Sequence, residues 1–335
     1  GTNAETVNDL VGNAWSCTIV AHDSDADGAV TFSIAFSDSA GNAGVAVTAV
    51  SDGTSVTHDD TVPTLSAVTM ASNNAVTTLS KDGDTTTLTI TSSEAIGTPT
   101  CDMEFTAGND ATNAESISGS STSWTCAVIS HDSDADGAIV FSIGFTDTAG
   151  NAGTAVTAVT SGSGVTHDDA VPTLSAVVEA VSGSGNGNNG DSLTLTITPS
   201  EAIQTPVCTF DSGGADMAGT VTYSTSSADH ICTIAVADGD TNGAVTFTVN
   251  FEDSAGNAGT EVTTATSGAV TIDNTHPTAS AAVLAVAGTG NGNNGDSMTL
   301  TITPSETIGT PTCTFASGGA AMANTVTYST SNADH

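Results

Sequence analysis

The chain is almost devoid of cationic side chains. Its 335 residues include one lysine, Lys81, and no arginine, against 37 acidic residues, for a net charge of −36. Binding to nucleic acid or to an anionic membrane depends on Lys and Arg displacing counterions, so neither partner is expected for this stretch. Such a surface attracts cations instead, and it tolerates salt because screening relieves its self-repulsion. Charged residues are still only 11% of the chain, too few for a charge-rich disordered tail. Apolar residues make up 38%, enough for small cores. No apolar run reaches membrane-spanning length, and no signal peptide is visible. The Asn-x-Ser/Thr sequon is absent, which excludes N-glycosylation on that motif; the abundant Ser and Thr leave O-glycosylation unspecified. Also missing are a helical period of 3.6, a nucleophile elbow, an HExxH helix motif and a phosphate loop.

What is present is a long repeat. VPT at Val62–Thr64 and Val171–Thr173 returns as HPT at His276–Thr278, with prolines 109 and 105 residues apart. AGNAG begins at Ala40, Ala149 and Ala255, and SSEAIGTPTC from Ser92 matches PSEAIQTPVC from Pro199 and PSETIGTPTC from Pro304. A period of about 107 residues is too long for a solenoid, so each unit should be a complete domain. The spacing gives two whole domains, 62–169 and 170–274, flanked by the back part of one (1–61) and the front part of another (275–335). Because residue 1 falls inside a repeat, the stretch is expected to come from a longer chain. No enzyme is expected, since a catalytic centre needs a unique convergent constellation and here every notable residue recurs.

Within a unit, short strands alternate with turns. Leu193, Leu195 and Ile197 interleave with threonines, and Val245, Phe247, Val249 and Phe251 with polar or small residues. That period of two means half-buried strands. Clusters such as SGSGNGNNGD (Ser182–Asp191) punctuate them. About seven strands per unit, in two sheets that bury each other's apolar faces, predict an all-β chain of tandem immunoglobulin-like sandwiches. In the second whole domain the strands are A after Pro172, B at Ser192–Thr198, C around Cys208, D at Thr220–Ser224, E around Cys232, F at Ala244–Phe251 and G before Asp273.

The FxDxAGN ending of strand F (Phe36–Asn42, Phe145–Asn151, Phe251–Asn257) and the junction VTIDNTHPT (Val270–Thr278) resemble the bacterial immunoglobulin-like repeats of giant surface adhesins. That resemblance implies an extracellular stalk, often with calcium between its domains. Stalk repeats of that kind usually lack cysteine, and this chain has six.

Each whole unit carries two cysteines, Cys101 with Cys126 and Cys208 with Cys232. Their recurrence in register predicts an intradomain disulfide and an oxidising compartment. Closing such a loop stabilises the fold by roughly 3 kcal/mol on the chain-entropy model. Buried free thiols are the alternative; metal ligation lacks CxxC spacing. Cys17 and Cys313 each match one member of a pair, with partners expected outside the 335 residues. Trp15 and Trp124 precede the second cysteine by two positions and should cover the bond.

HDSDADGA occurs at His22–Ala29 and again at His131–Ala138, with a degraded copy at Ala237–Ala244. Asp23, Asp25 and Asp27 before Gly28, Asp132, Asp134 and Asp136 before Gly137, and Asp238, Asp240 and Asn242 before Gly243 match the first half of an EF-hand loop. The twelfth position, a bidentate glutamate in an EF-hand, is Ile34, Ile143 or Val249, so this is no EF-hand. Two readings stay open: a solvated acidic turn, or a partial calcium site completed by neighbours. In the seven-strand scheme the E–F loop and the junction acids Asp59–Asp60, Asp168–Asp169 and Asp273–Asn274 share one end of a domain. The next domain turns Glu94, Glu201 or Glu306 and Asp147 or Asp253 toward that end. Calcium there would convert a string of beads into a rod, at the weak affinities of extracellular modules, about 10⁻⁴–10⁻³ M. His22 and His131 beside the loops suggest a transition metal, but the third copy has Ala237 there. Asp38, Asp147 and Asp253 should shape the turn after strand F.

The expected function is a structural segment of a long extracellular filament or cell-surface hair. Its partners would be copies of itself or neighbouring repeats, with domains about 30–40 Å tall. The alternative is the stalk of a large adhesin that projects a separate binding domain.

Overall fold

The computed structural model describes residues 5–105, 114–183, 186–288, 290–323 and 325–329; 184–185, within the Gly/Asn-rich turn noted above, lie outside that set. Every regular element among the described residues is a strand. The chain divides into two compact units. One is Gly1–Thr173 with Pro199–Pro206 and Asn250–Thr260; the other is Leu174–Thr198, Val207–Val249 and Glu261–His335.

The first unit opens with two hairpin-like pairs, β1 (Thr6–Leu10) with β2 (Ala14–Thr18) and β3 (Gly28–Ala29) with β4 (Thr57–His58). A whole sandwich follows: β5 (Leu65–Ser72), β6 (Leu79–Ser80), β7 (Thr85–Ser92), β8 (Thr100–Phe105), β9 (Ser116–Ser120), β10 (Ser123–Ile129), β11 (Gly137–Gly144) and β12 (Thr166–His167). Its sheets run β5-β7-β10-β9 and β6-β12-β11-β8. In immunoglobulin lettering the first is A-B-E-D and the second carries C, F and G.

The residue pattern dictates these strands. Thr85–Ser92 reads TTTLTITS with Leu88 and Ile90 fully buried, so β-branched threonines hold the pleat and alternate positions fill the core. Opposite them, Met103, Phe105, Ile139 and Ile143 close the core from the second sheet. Trp124 and Cys126 share the buried face of β10, as their spacing predicts, and the Trp124 indole donates to the Ser121 carbonyl at 3.1 Å.

In the second unit, β13 (Leu174–Val181), β14 (Ser192–Pro199), β15 (Val207–Ser212), β16 (Ala215–Asp216), β17 (Thr222–Ser226), β18 (Asp229–Ala235), β19 (Gly243–Asn250) and β20 (Thr271–Ile272) repeat the scheme. The sheets are β13-β14-β18-β17 and β16-β15-β19-β20, A-B-E-D and C′-C-F-G. Then come β21 (Ala279–Val286) paired with β22 (Met298–Pro304), and β23 (Ala316–Ser317) paired with β24 (Ala320–Ala321). Where only one half of a repeat is present, the alternation stays but burial does not follow. Phe36 is 55% exposed, while its equivalents Phe145 and Phe251 are each 6% exposed.

Cys208 on β15 and Cys232 on β18 are disulfide-bonded with Cα atoms 6.4 Å apart, inside the usual range, and the bond ties one sheet to the other. The expected Cys101–Cys126 bond is a correction: both are free thiols. Their side chains meet in a hydrogen bond that holds the Cys101 thiol below its ordinary range and pushes Cys126 up. Cys17 is exposed and Cys313 half-buried, both free.

Candidate functional site

The aspartate loops are built mainly as turns and staples. The second acid of each copy closes its own loop. Asp25, Asp134 and Asp240 accept from the backbone N–H of His22 at 2.9 Å, His131 at 2.7 Å and Ala237 at 2.7 Å, and their own N–H groups return to the same residues' carbonyls. The third position reaches the junction. Asp27 accepts from the Asp60 N–H at 2.9 Å, Asp136 from Asp169 at 2.8 Å, and Asn242 from Asn274 at 2.7 Å. Because Asn242 does this as well as Asp136, the role needs an acceptor oxygen rather than a charge. Gly28, Gly137 and Gly243 follow at φ of 140°, 139° and 143°, a conformation that excludes side chains and explains the invariant glycine.

The turn after strand F is equally repetitive. Asp147 is 5% exposed and accepts from the N–H groups of Ala149, Gly150 and Asn151 and from the Asn151 amide. Burial opposes ionisation of Asp147, but these bonds together hold its carboxyl below the usual range. Asp253, 1% exposed, accepts from Gly256, Asn257 and the Asn257 amide. Each Asn then crosses the joint. The Asn151 amide donates to the Asp59 carbonyl at 3.0 Å, and the Asn257 amide to the Asp168 carbonyl at 2.6 Å. The last glycine of AGNAG is required by the strand-F phenylalanine: a Cβ on Gly153 would lie 2.1 Å from the Phe145 ring, and one on Gly259 2.1 Å from Phe251.

At two of the three joints, after Asp59–Asp60 and after Asp168–Asp169, these elements converge on three carboxylates. Asp59, Glu94 and Asp147 form one group and Asp168, Glu201 and Asp253 the other, each with ligand oxygens within 4.8 Å of one another. All six residues belong to the first compact unit. They are equivalent positions: the first junction acid, the B–C loop glutamate and the strand-F aspartate. Their electrostatics are unbalanced. Glu94 is pushed up by burial and then by Asp59 and Asp147. Asp168 is pushed up by burial and by Asp253, and Glu201 by burial, Asp168 and Asp253. Calcium takes six to eight oxygen ligands at about 2.3–2.6 Å in flexible geometry. The donors are all hard oxygens, so the residues fit calcium.

A third group joins Asp27, His58 and Asp60, with His58 Nε2 3.9 Å from Asp60 Oδ2. Burial and Asp27 push the Asp60 carboxyl up. Its equivalent in the next repeat is closer: His167 is fully buried, its Nε2 2.9 Å from Asp169 Oδ2, with its ring edge-on to Phe105 at 5.1 Å. Of the calcium candidates, the structure therefore gathers Asp59 and Asp168 into the triads and Asp27 and Asp60 around His58. Asp23, Asp25, Asp132, Asp134, Asp136, Asp169, Asp238, Asp240, Asn242 and Asp273 join none of these groups. The EF-hand-like spacing thus marks joint architecture, while the oxygen-rich sites use Glu94, Asp147, Glu201 and Asp253. His58 and His167 lie outside the aspartate loops, and the recurring THDD at Thr57–Asp60 and Thr166–Asp169 is the sequence feature that marks them.

No family model matches the chain, and no curated protein sequence does. Among solved structures it is similar to the I-band fragment I67-I69 from titin, at 10% identity over 81% of this chain and 86% of that one, with a TM-score of 0.36. It is also similar to the full ectodomain (Ig1-Ig3) of mouse nectin-like molecule 4, at 10% identity over 68% and 73%, TM-score 0.28. The D00-D0 domain of intimin is similar at 14% identity over 62% and 100%, TM-score 0.25. At such identities and scores the likeness concerns architecture alone, and the immunoglobulin-like fold of this chain rests on its own strand order.

Proposed function

We propose that this chain is a structural segment of a long extracellular filament or surface hair, in which immunoglobulin-like domains are strung through short joints and each joint takes one calcium ion. Its role is mechanical. The observation that carries the reading is the recurrence, at two successive joints, of the same Asp–Glu–Asp triad beside the same Asn-to-carbonyl bond. Calcium would supply the positive charge that three convergent carboxylates lack, in a chain with one lysine. The protein's own residues do the rest. Asp147 and Asp253 are oriented by backbone N–H groups, Glu94 and Glu201 are brought by the B–C loops, and Asp59 and Asp168 by the linkers. The inter-sheet disulfide suits an oxidising, extracellular setting. The test is small-angle scattering on the full chain in millimolar calcium and then in chelator at matched ionic strength. Contraction and broadening of the distance distribution on chelation supports the clamp; an unchanged particle with no bound calcium by titration calorimetry rejects it.

A further inference from the structure

Lys81 carries the chain's only side-chain ammonium, and its place is specific. It donates to the Gly256 carbonyl. Beside it, the Asn74 amide donates to the Ala255 carbonyl at 2.9 Å while also holding Asp84 Oδ2 at 2.7 Å. Asp84 in turn accepts from the Lys81 backbone N–H, which fixes both arms on one turn. Ala255 and Gly256 belong to the same turn whose N–H groups are gathered by Asp253 and whose Asn257 reaches Asp168. The turn is therefore held on two faces, donors inward and carbonyls outward. Gly256 sits at φ +89°, and a Cβ there would already lie 3.3 Å from the Lys81 ammonium. A groove of about 600 Å³, lined among others by Asn74, Val76, Lys81, Gln204 and Glu252, flanks the contact.

The position is not a lysine elsewhere in the chain. Asp84 N–H bonds back to Lys81, Asp191 to Asn188 and Asp296 to Asn293, so KDGD here stands where the following repeats have NNGD. We propose that Lys81, with Asn74, is a built-in lock for the joint between domain 62–169 and the 250–260 turn. It is a protein-borne cation that holds the turn's carbonyls while Asp253 gathers its N–H groups. This joint then stays closed without a metal ion, while a joint whose preceding domain carries Asn at that position lacks this protein-borne cation. The lock is independent of calcium binding, so it stands or falls apart from the clamp proposed above.

Because Lys81 is the single side-chain amine, the full-length chain tests the lock directly. The chain is acylated with an amine-reactive ester in chelator, and the Lys81 peptide is followed by mass spectrometry. Lys81 should react at least about tenfold more slowly than in the urea-unfolded chain, the scale of one charge-assisted hydrogen bond. Asn74→Ala should recover part of that rate. Independently, Lys81→Met in chelator should speed hydrogen exchange of the amides in 254–257, leaving those of β7 and β14 unchanged. Acylation at the unfolded-chain rate, protection that disappears on chelation, or exchange indifferent to Lys81→Met would each overturn the lock. Protection that persists while scattering shows no calcium effect would retire the clamp and keep the lock.

Discussion

Glu201→Gln separates the two energetic roles of a joint triad, because its consequences differ with and without calcium. Without calcium, Glu201 faces Asp168 and Asp253, and burial together with both neighbours pushes its carboxyl up. Each unit-charge pair at this range repels by ~1 kcal/mol in a water-like medium. With screening of these partly exposed groups, removing Glu201's charge should stabilise the chelated form by about 1 kcal/mol. For a domain of this size, that raises the unfolding midpoint by roughly 4–8 °C. With calcium the ledger shifts. If a site has a Kd of about 10⁻⁴ M, then calcium at about 100 times that value adds ~2.7 kcal/mol, and a tenfold weaker site adds only ~1.4 kcal/mol. The variant should therefore start higher in chelator, gain about half as much from calcium, and end within a few tenths of a kcal/mol of wild type. Scanning calorimetry of the full chain, with ionic strength matched between arms, reads both numbers. A variant no more stable than wild type in chelator would refute the repulsion argument. An unchanged calcium increment would remove Glu201 from the site.

Four further outcomes follow from the same geometry. Glu94, Asp168 and Glu201 have raised pKa values in the fold, so their contribution is fully present at low pH and is lost as pH rises through those values. In chelator, the Glu201→Gln advantage should accordingly be present at pH 7 and vanish as pH falls into the carboxylate range, as read by unfolding midpoints. Gly259→Ala places a methyl 2.1 Å from the Phe251 ring and should destabilise its domain by about 1–3 kcal/mol in denaturant titration; a neutral result would mean that the ring can move aside. Asp136→Asn should be tolerated, since Asn242 already plays that part, whereas Asp136→Ala should speed exchange of the Asp169 amide. Mild oxidation should join Cys101 to Cys126, whose side chains already touch, and raise stability by roughly 3 kcal/mol; alkylation mapping that finds both thiols free after oxidation would show that the strands hold them apart.

Much of the fold was legible because its cause is local. Period-two alternation in Leu193–Ile197 or Val245–Phe251 sets which side chains turn inward wherever a facing sheet exists. Two such strands in one direction of reasoning require two sheets, and the sandwich with A-B-E-D against C, F and G follows. The turn after strand F was legible for the same reason, since Asp147 needs only Asn151 four residues away. The DSDADG loops were harder. Their spacing is equally compatible with wrapping a cation and with the turn-plus-staple that the structure contains, because both use alternate carboxylate oxygens before a left-handed glycine. The staple itself depends on Asp60 and Asp169, 33 residues downstream of Asp27 and Asp136.

From the sequence alone came the all-β class, the repeat length, the cysteine register and a surface with almost no positive charge, since each depends on composition or on neighbours in the chain. The repeat scheme already turned the junction acid, the B–C loop glutamate and the strand-F aspartate toward one joint, but which of the many candidate carboxylates come within reach of one another was decided only by tertiary structure. Asp168, Glu201 and Asp253 come from a linker and two separate loops, and Lys81 finds Gly256 across 175 residues. Convergence of that kind is a property of how strands are ordered in space, and nothing in the local pattern around any one of those residues encodes it.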